Sequence, residues 1–255
     1  LNILVLLKQT FDTEERIVID NGNINEDGVE FIINPYDEYA VEEAVKIKED
    51  MGAEVTVLTV GPDRAKNALL TALAMGADKG IFVELEDIDV DEYSLAKIIT
   101  ATIKGEEYQL ILGGNMAIDS GAGQVALRVA EILGIPHIAA ITKLTIEGNK
   151  SIMERDMEGD IVTFEVNLPV LASAQQGLNE PRYPSLPGIM KAKKKPIKRL
   201  SVDELDLPEE EFAPRTSIRN QYVPERKKST RVLEGEIPQQ VSELVNVLRT
   251  EAKVI

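Results

Sequence analysis

The sequence predicts an α/β protein built on a Rossmann-like parallel sheet. Three observations carry this. Apolar runs of strand length recur without polar alternation as far as Thr142, segments of helical periodicity separate them, and glycines close several of those segments.

Asn2 to Leu7, "NILVLL", is the first run, and a strand covered on both faces needs no polar side. Asp37 to Met51 is the first helix. Ala40, Val41, Ala44, Val45, Ile47 and Met51 fall on one side, and the acids of its first turn suit the helix dipole. Glu54 to Val60 is the second strand. Pro62 to Met75 is a helix burying Ala65, Ala68, Leu69, Ala72 and Leu73 and closed by Gly76. Gly80 to Leu85 is a strand, Asp91 to Lys104 a helix ending at Gly105, and Gln109 to Gly114 the next strand. After a glycine-rich turn a further helix stops at Gly134, and His137 to Thr142 is again a strand. Strand and helix alternating at this spacing demand a parallel sheet with right-handed crossovers.

The texture then changes. Lys143 to Ala174 reads as short strands joined by Glu-Gly-Asn and Glu-Gly-Asp turns, hence antiparallel hairpins at one edge of the sheet. Residues 175–200 are dense in Pro and Gly and include the basic run Lys191 to Lys195. Residues 201–255 carry charge, proline and few core residues until Pro238 to Ala252, where Val241, Leu244, Val245 and Leu248 form one apolar stripe. The expected organisation is a nucleotide-binding α/β domain over 1–200 and a C-terminal arm over 201–255 that needs a partner's surface.

Composition removes several function classes. A net charge of −16 opposes contact with nucleic acid or an anionic membrane, and the apolar run at the N-terminus is too short for a membrane span. The default location is cytoplasmic. Without cysteine there is no disulfide, thiolate metal site or Cys nucleophile, and the single histidine, His137, cannot form a two-histidine metal site. No nucleophile stands beside a base, so hydrolytic or transfer catalysis by the chain alone has no footing.

Binding is legible where catalysis is not. "GAGQVA" imitates the dinucleotide fingerprint Gly-x-Gly-x-x-Ala at Gly121, Gly123 and Ala126, but the strand ends near Gly113, well short of the first glycine. The physics still applies: glycines before a helix offer backbone N–H groups to an anion, and Gly123 is expected to stay small so that a phosphate can approach. Asp119 and Ser120 suit either helix capping or ligand contact. Two further loops, Asn34 to Ala40 and Val60 to Ala65, open at the same sheet edge. Pro35 biases Asn34 to an extended conformation that lets its amide face a ligand. If the strand order reverses between the first and fourth strands, these loops ring the switch-point crevice.

"VLLKQTFDTEE", "INPYDEYAVEEAVKIKE", "TVGP", "TALAMGADKGIFVE", "LILGGNMAIDSGAGQV" and "GLNEPRYPSLPGIMKAKKK" together resemble the electron-transfer flavoprotein β subunits over nearly the whole chain. The resemblance implies an adenine-nucleotide α-hydrolase-like Rossmannoid fold and an α subunit that carries the electron-transferring FAD and is wrapped by the C-terminal arm. It also implies a nucleotide pocket lined by Leu6, Asn34, Pro35, Tyr36, Asp37, Val60, Asp119, Ser120, Gly121, Ala122, Gly123, Gln124 and Val125. That pocket takes AMP in simple carriers and a second FAD in the electron-bifurcating branch, where NAD(H) is the transient substrate. Simple carriers have a longer, bulkier turn before the Gly-Gln pair. Here only Ser120, Gly121 and Ala122 separate Asp119 from Gly123, which resembles the bifurcating branch. The sequence departs from that branch's pattern at Ser120, Gly121, Ala122, Gly123 and Ala126. Leu178, Asn179, Glu180, Pro181 and Arg182 resemble the loop that meets a partner flavin dehydrogenase, with Leu178 as its anchor; between Gly177 and Asn179 that leucine is either an exposed apolar tip or tucked under the loop. A non-redox nucleotide sensor of similar fold, and an enzyme acting alone on an adenylate, are the rival readings.

Overall fold

The computed structural model describes residues 1–85, 88–224 and 230–255. Residues 225–229 of the expected arm lie outside the described residues. In chain order the elements are β1 (Asn2–Leu7), β2 (Gln9–Phe11), β3 (Ile19–Asp20), β4 (Asn23–Ile24), β5 (Phe31–Ile33), α1 (Pro35–Met51), β6 (Glu54–Gly61), α2 (Lys66–Met75), β7 (Lys79–Glu84), α3 (Glu92–Thr102), β8 (Leu110–Gly114), α4 (Val125–Leu133), β9 (His137–Ile141), β10 (Lys143–Glu147), β11 (Lys150–Met157), β12 (Asp160–Asn167), β13 (Val170–Ala174), α5 (Leu186–Ala192), β14 (Ile197–Ser201), α6 (Glu209–Phe212) and α7 (Ile237–Thr250).

The chain divides into two units. The larger comprises Leu1–Arg16 and Glu26–Arg219, the smaller Ile17–Asn25 and Asn220–Ile255. Residues 201–219 therefore belong with the sheet, not with the arm where the sequence placed them; Val202 and Phe212 are buried in the same apolar cluster as Ile98. The smaller unit holds the β3–β4 hairpin and α7, in which Val241, Leu244 and Val245 are exposed.

In the larger unit a seven-stranded sheet runs β14-β7-β6-β1-β8-β13-β9 with every pairing parallel. β1 lies between β6 and β8, so the order does reverse between the first and fourth long strands. The two faces of β1 show why its sequence is apolar throughout. Ile3, Val5 and Leu7 pack toward α1 and α2, while Leu4 and Leu6 join the cluster of α3 and α4. All five are buried, each stabilising the fold by about 2 kcal/mol.

The helices follow their sequence signals. α1 begins with Pro35 at its first turn and ends at Gly52, a left-handed residue whose N–H donates to the Lys48 carbonyl; Met51, expected on the buried side, is exposed at that end. The Asp91 and Ser94 side chains form a reciprocal cap on α3. Gly134 closes α4 in the left-handed region.

Two strands differ from the sequence reading. β10, β11 and β12 make the expected hairpins, but as a separate three-stranded sheet, and β13 returns to lie parallel between β8 and β9. β13 is buried on both faces, so it belongs inside the sheet and not at its edge. β14 pairs with β7 at the opposite edge. Its Lys198 and Arg199 are exposed, which suits an edge strand and made it look like a continuation of the basic run before it.

Candidate functional site

A cleft opens where the carboxyl ends of β1, β6 and β8 meet the N-terminus of α4. One wall is apolar, from Leu58 and Val60 of β6 and Leu95 and Ile99 of α3. Another part of the lining is small and largely backbone, from Gly113, Gly114, Ala122, Gly123 and Ala126. Lys8, Asn34 and Asp37 supply polar groups.

Asp37 organises this end of the sheet. Its carboxylate accepts from the backbone N–H of Lys8 at 2.7 Å, the backbone N–H of Gly114 at 2.9 Å and the Asn34 amide at 3.0 Å. The strand following Asn2, the strand ending in Gly113-Gly114 and the start of α1 are thereby locked to one side chain. Burial pushes the Asp37 carboxyl up to about 7, and the N–H donors of Lys8, Asn34 and Gly114 pull the other way.

The Asn34 amide is turned inward, correcting the expectation that it faces a ligand. The residue is 1% exposed; its Nδ2 donates to Asp37 and to the Met116 carbonyl at 2.9 Å, and its Oδ1 accepts from the Ile118 N–H at 3.2 Å. Its backbone is extended as Pro35 requires, with ψ 123. Asn34 thus shapes the cleft by tying the loop after β8 to the start of α1.

The loop after β8 closes on itself before α4 begins. The Gly121 N–H donates to the Ala117 carbonyl at 2.8 Å and the Ala117 N–H to the Ala122 carbonyl at 3.2 Å, with Gly121 at φ 67. The Gly121 N–H is therefore spent within the turn. Asp119 and Ser120 cap no helix: Asp119 pairs with Lys8 at 2.8 Å, and Ser120 Oγ accepts from the Ala122 N–H. A Cβ at Gly123 would stand 2.8 Å from the Asn115 carbonyl oxygen, so packing of the turn itself demands this glycine. The first helical bond of α4 runs from the Arg128 N–H to the Gln124 carbonyl, leaving the N–H groups of Val125, Ala126 and Leu127 without intrahelical partners, as at any helix start. Two of those three residues line the cleft, so a helix N-terminus suited to an anion lies at its wall.

Of the expected pocket residues, Leu6, Asn34, Asp37, Val60, Ala122, Gly123, Gln124 and Val125 line the cleft. Pro35, Asp119, Ser120 and Gly121 are not among its lining residues. Tyr36 instead faces a second hollow with Ala140, Thr142, Asp156, Gln175 and Gln176. The sequence reading missed Lys8, Gly113, Gly114, Leu95 and Ile99. A lysine directly after an apolar strand and a Gly-Gly pair ending another were the available signals; nothing in α3 marks its cleft-facing side. Among the described residues no group of His, Cys, Asp or Glu is placed to hold a metal, and no helix is long and apolar enough to cross a membrane.

A model of the electron transfer flavoprotein domain matches residues 21–205. The electron transfer flavoprotein subunit beta of Bacillus subtilis (strain 168) is 54% identical over 258 aligned residues covering 100% of both chains. The chain belongs to the electron transfer flavoprotein beta subunits. The corresponding subunit of Syntrophomonas wolfei subsp. wolfei is 48% identical over 77% of this chain and 78% of its own, and that of Thermoanaerobacterium thermosaccharolyticum is 38% identical over 98% of both.

In this beta subunit the Leu178 to Arg182 segment differs from its expected form. Leu178 is 9% exposed and packs into the main apolar cluster, so it is not an exposed tip. Asn179 and Arg182 are turned onto α1: Asn179 donates to the Tyr39 carbonyl and Glu43, and Arg182 pairs with Glu42 and Glu49. The exposed apolar side chains come later, with Tyr183 at 95%, Leu186 at 79% and Met190 at 72%. Of the two readings open for this leucine, the structure has the one tucked under the loop, since a leucine between Gly177 and Asn179 gives no local sign of the core beneath it.

Proposed function

We propose that this beta subunit pairs with an electron transfer flavoprotein alpha subunit, holds FAD in the cleft at the sheet reversal, and takes part in electron bifurcation or confurcation between NAD(H), the alpha-subunit FAD and a partner flavin dehydrogenase. The observation that carries the cleft assignment is the mixed character of its lining. Leu58, Val60, Leu95 and Ile99 suit the faces of a flat heterocycle, while the α4 N-terminus and Lys8 suit phosphate. The short turn through Ser120, Gly121 and Ala122 carries no large side chain, which leaves room for a flavin beyond the adenosine. When bound, FAD supplies hydride acceptance from NADH and the passage of single electrons. The chain's own residues bind and orient it, and Asp37 and Asn34 hold the three surrounding loops in place without touching the reacting atoms.

The content of the purified αβ pair tests this directly. Denaturation and chromatography are expected to release two FAD per heterodimer. One FAD with stoichiometric AMP reduces the protein to a simple carrier, and no nucleotide beyond the alpha-subunit flavin removes the cleft assignment. The exposed stripe of α7 supports a role for residues 220–255 in packing on the alpha subunit.

The surface offered to the dehydrogenase is placed at Tyr183, Leu186 and Met190, in succession to Leu178. An apolar side chain exposed at the start of a short helix is the type that anchors an interface. Leu186→Ala is expected to raise the KM for the partner dehydrogenase about tenfold, from roughly 1.5 kcal/mol of lost burial, and to leave flavin content unchanged. An unaltered KM sinks the assignment.

A further inference from the structure

The exposed apolar residues stand just beyond a set of charges that the docking reading does not use. Glu42 and Glu49 lie two helical turns apart on one side of α1, and the Arg182 guanidinium fills the gap between them. Arg182 Nε donates to Glu42 Oε2 at 2.8 Å and Nη2 to Glu42 Oε1 at 3.0 Å, while Nη1 and Nη2 reach Glu49 at 2.6 and 2.9 Å. The Arg182 backbone N–H also donates to Glu42 Oε2 at 3.2 Å, so the side chain and main chain of one residue grip one carboxylate. Glu42 is buried, although a glutamate on the exposed side of a helix would ordinarily be solvated. Beside it, buried Glu43 accepts from Asn179 Nδ2 at 2.9 Å. Two adjacent buried carboxylates are held by the two polar residues that open the loop.

The far end of the same segment is also fixed. Gly188 of α5 passes so close to α2 that a Cβ there would stand 2.5 Å from the Ala74 carbonyl oxygen. Lys195 Nζ donates to the Leu73 carbonyl at 2.9 Å and to that of Ala77. Tyr183, Leu186 and Met190 lie between these anchors with their apolar area in solvent.

We infer that Arg182 is a positioning residue for partner docking: its double ion pair with Glu42 and Glu49 holds the Tyr183–Leu186–Met190 surface in its docking arrangement before the partner arrives. A guanidinium fork between two carboxylates fixes direction as well as distance, which a lysine does not. An ordered surface loses less conformational freedom on association, so the clamp acts on encounter with the dehydrogenase and not on the redox step. This inference rests on the docking reading above.

The test uses the αβ heterodimer and any flavin dehydrogenase that reduces it. Arg182→Met and Arg182→Lys are each expected to raise the KM for that dehydrogenase, about tenfold and severalfold respectively. The rate at saturation, the flavin content and direct reduction by dithionite stay at their wild-type values, and amide exchange of residues 183–190 accelerates. Glu49→Gln removes only the exposed outer carboxylate and is expected to raise KM two- to threefold, which keeps the test available if the Arg182 variants fold poorly. An unchanged KM in Glu49→Gln and Arg182→Lys overturns the inference, as does a fall in saturated rate accompanied by flavin loss. Leu186→Ala separates the two levels: if it raises KM while the clamp variants do not, only the clamp role fails, and if it too leaves KM unchanged, the docking surface itself is misplaced.

Discussion

Gly114→Ala is expected to yield a heterodimer that purifies without nucleotide in the beta subunit and melts roughly 10 °C below the wild type. A Cβ at this position would stand 2.2 Å from Asp37 Oδ1, 2.7 Å from the Tyr36 Cβ and 2.8 Å from the Tyr36 carbonyl carbon. The carboxylate cannot retreat without releasing the N–H groups of Lys8, Gly114 and Asn34, and the Tyr36 carbonyl is main chain at the start of α1. Overpacking of this kind costs about 1 to 3 kcal/mol, and a lost hydrogen bond to a charged group about 1.5 to 3 more. The loop after β8 hangs on Asn34 through Met116 and Ile118, so its displacement also opens the cleft wall. Differential scanning calorimetry with chromatography of released nucleotide reads both effects. Wild-type melting with full nucleotide content would show that Asp37 is not the joint between these loops.

The parallel sheet was legible because its strands are covered on both faces. β1, β6, β7 and β8 therefore print continuous apolar runs, and Gly52, Gly76 and Gly134 close helices where the chain must enter left-handed or otherwise open conformations. The reversal beside β1 was only a condition on the sequence reading, and the strand order supplies it. What was not legible depends on contacts distant in sequence. β13 reads as another hairpin strand until its burial on both faces is known, and β14 hides among lysines because an edge strand tolerates them. Within the cleft lining, Asn34 and Gly123 were expected to serve a ligand, and their local geometry is set by the protein itself. Their polar and backbone surfaces face the protein's own loops, since a crevice built from three loops must first satisfy the loops themselves. Leu178 and Leu186 show the same limit, because a leucine in a polar loop looks the same whether it plugs the core or faces solvent.

Asp37→Asn is expected to abolish a pH dependence of stability that the wild type shows between about pH 4 and pH 7. An unfolded aspartate titrates near 3.8, whereas in the fold burial raises this carboxyl to about 7 against the pull of its N–H donors. The folded state then holds the proton more tightly than the unfolded state. Its contribution to stability is complete below pH 4 and is lost as the pH rises to 7, a change on the order of 4 kcal/mol. An asparagine has no proton to lose. Its Oδ1 can still accept from Asn34 and Gly114, but its amide meets the Lys8 N–H donor to donor and forfeits the 2.7 Å bond, costing about 1 to 3 kcal/mol. The variant is thus less stable than the wild type at pH 4, the two cross between about pH 4.5 and pH 6, and the variant is the more stable at pH 7, as denaturant titrations at successive pH values would record. Because Asn34 and Gly114 remain tied, this variant keeps its nucleotide where Gly114→Ala loses it. A wild type whose stability instead climbs from pH 4 to 7 would mean that the surrounding N–H groups outweigh burial and hold Asp37 ionised throughout.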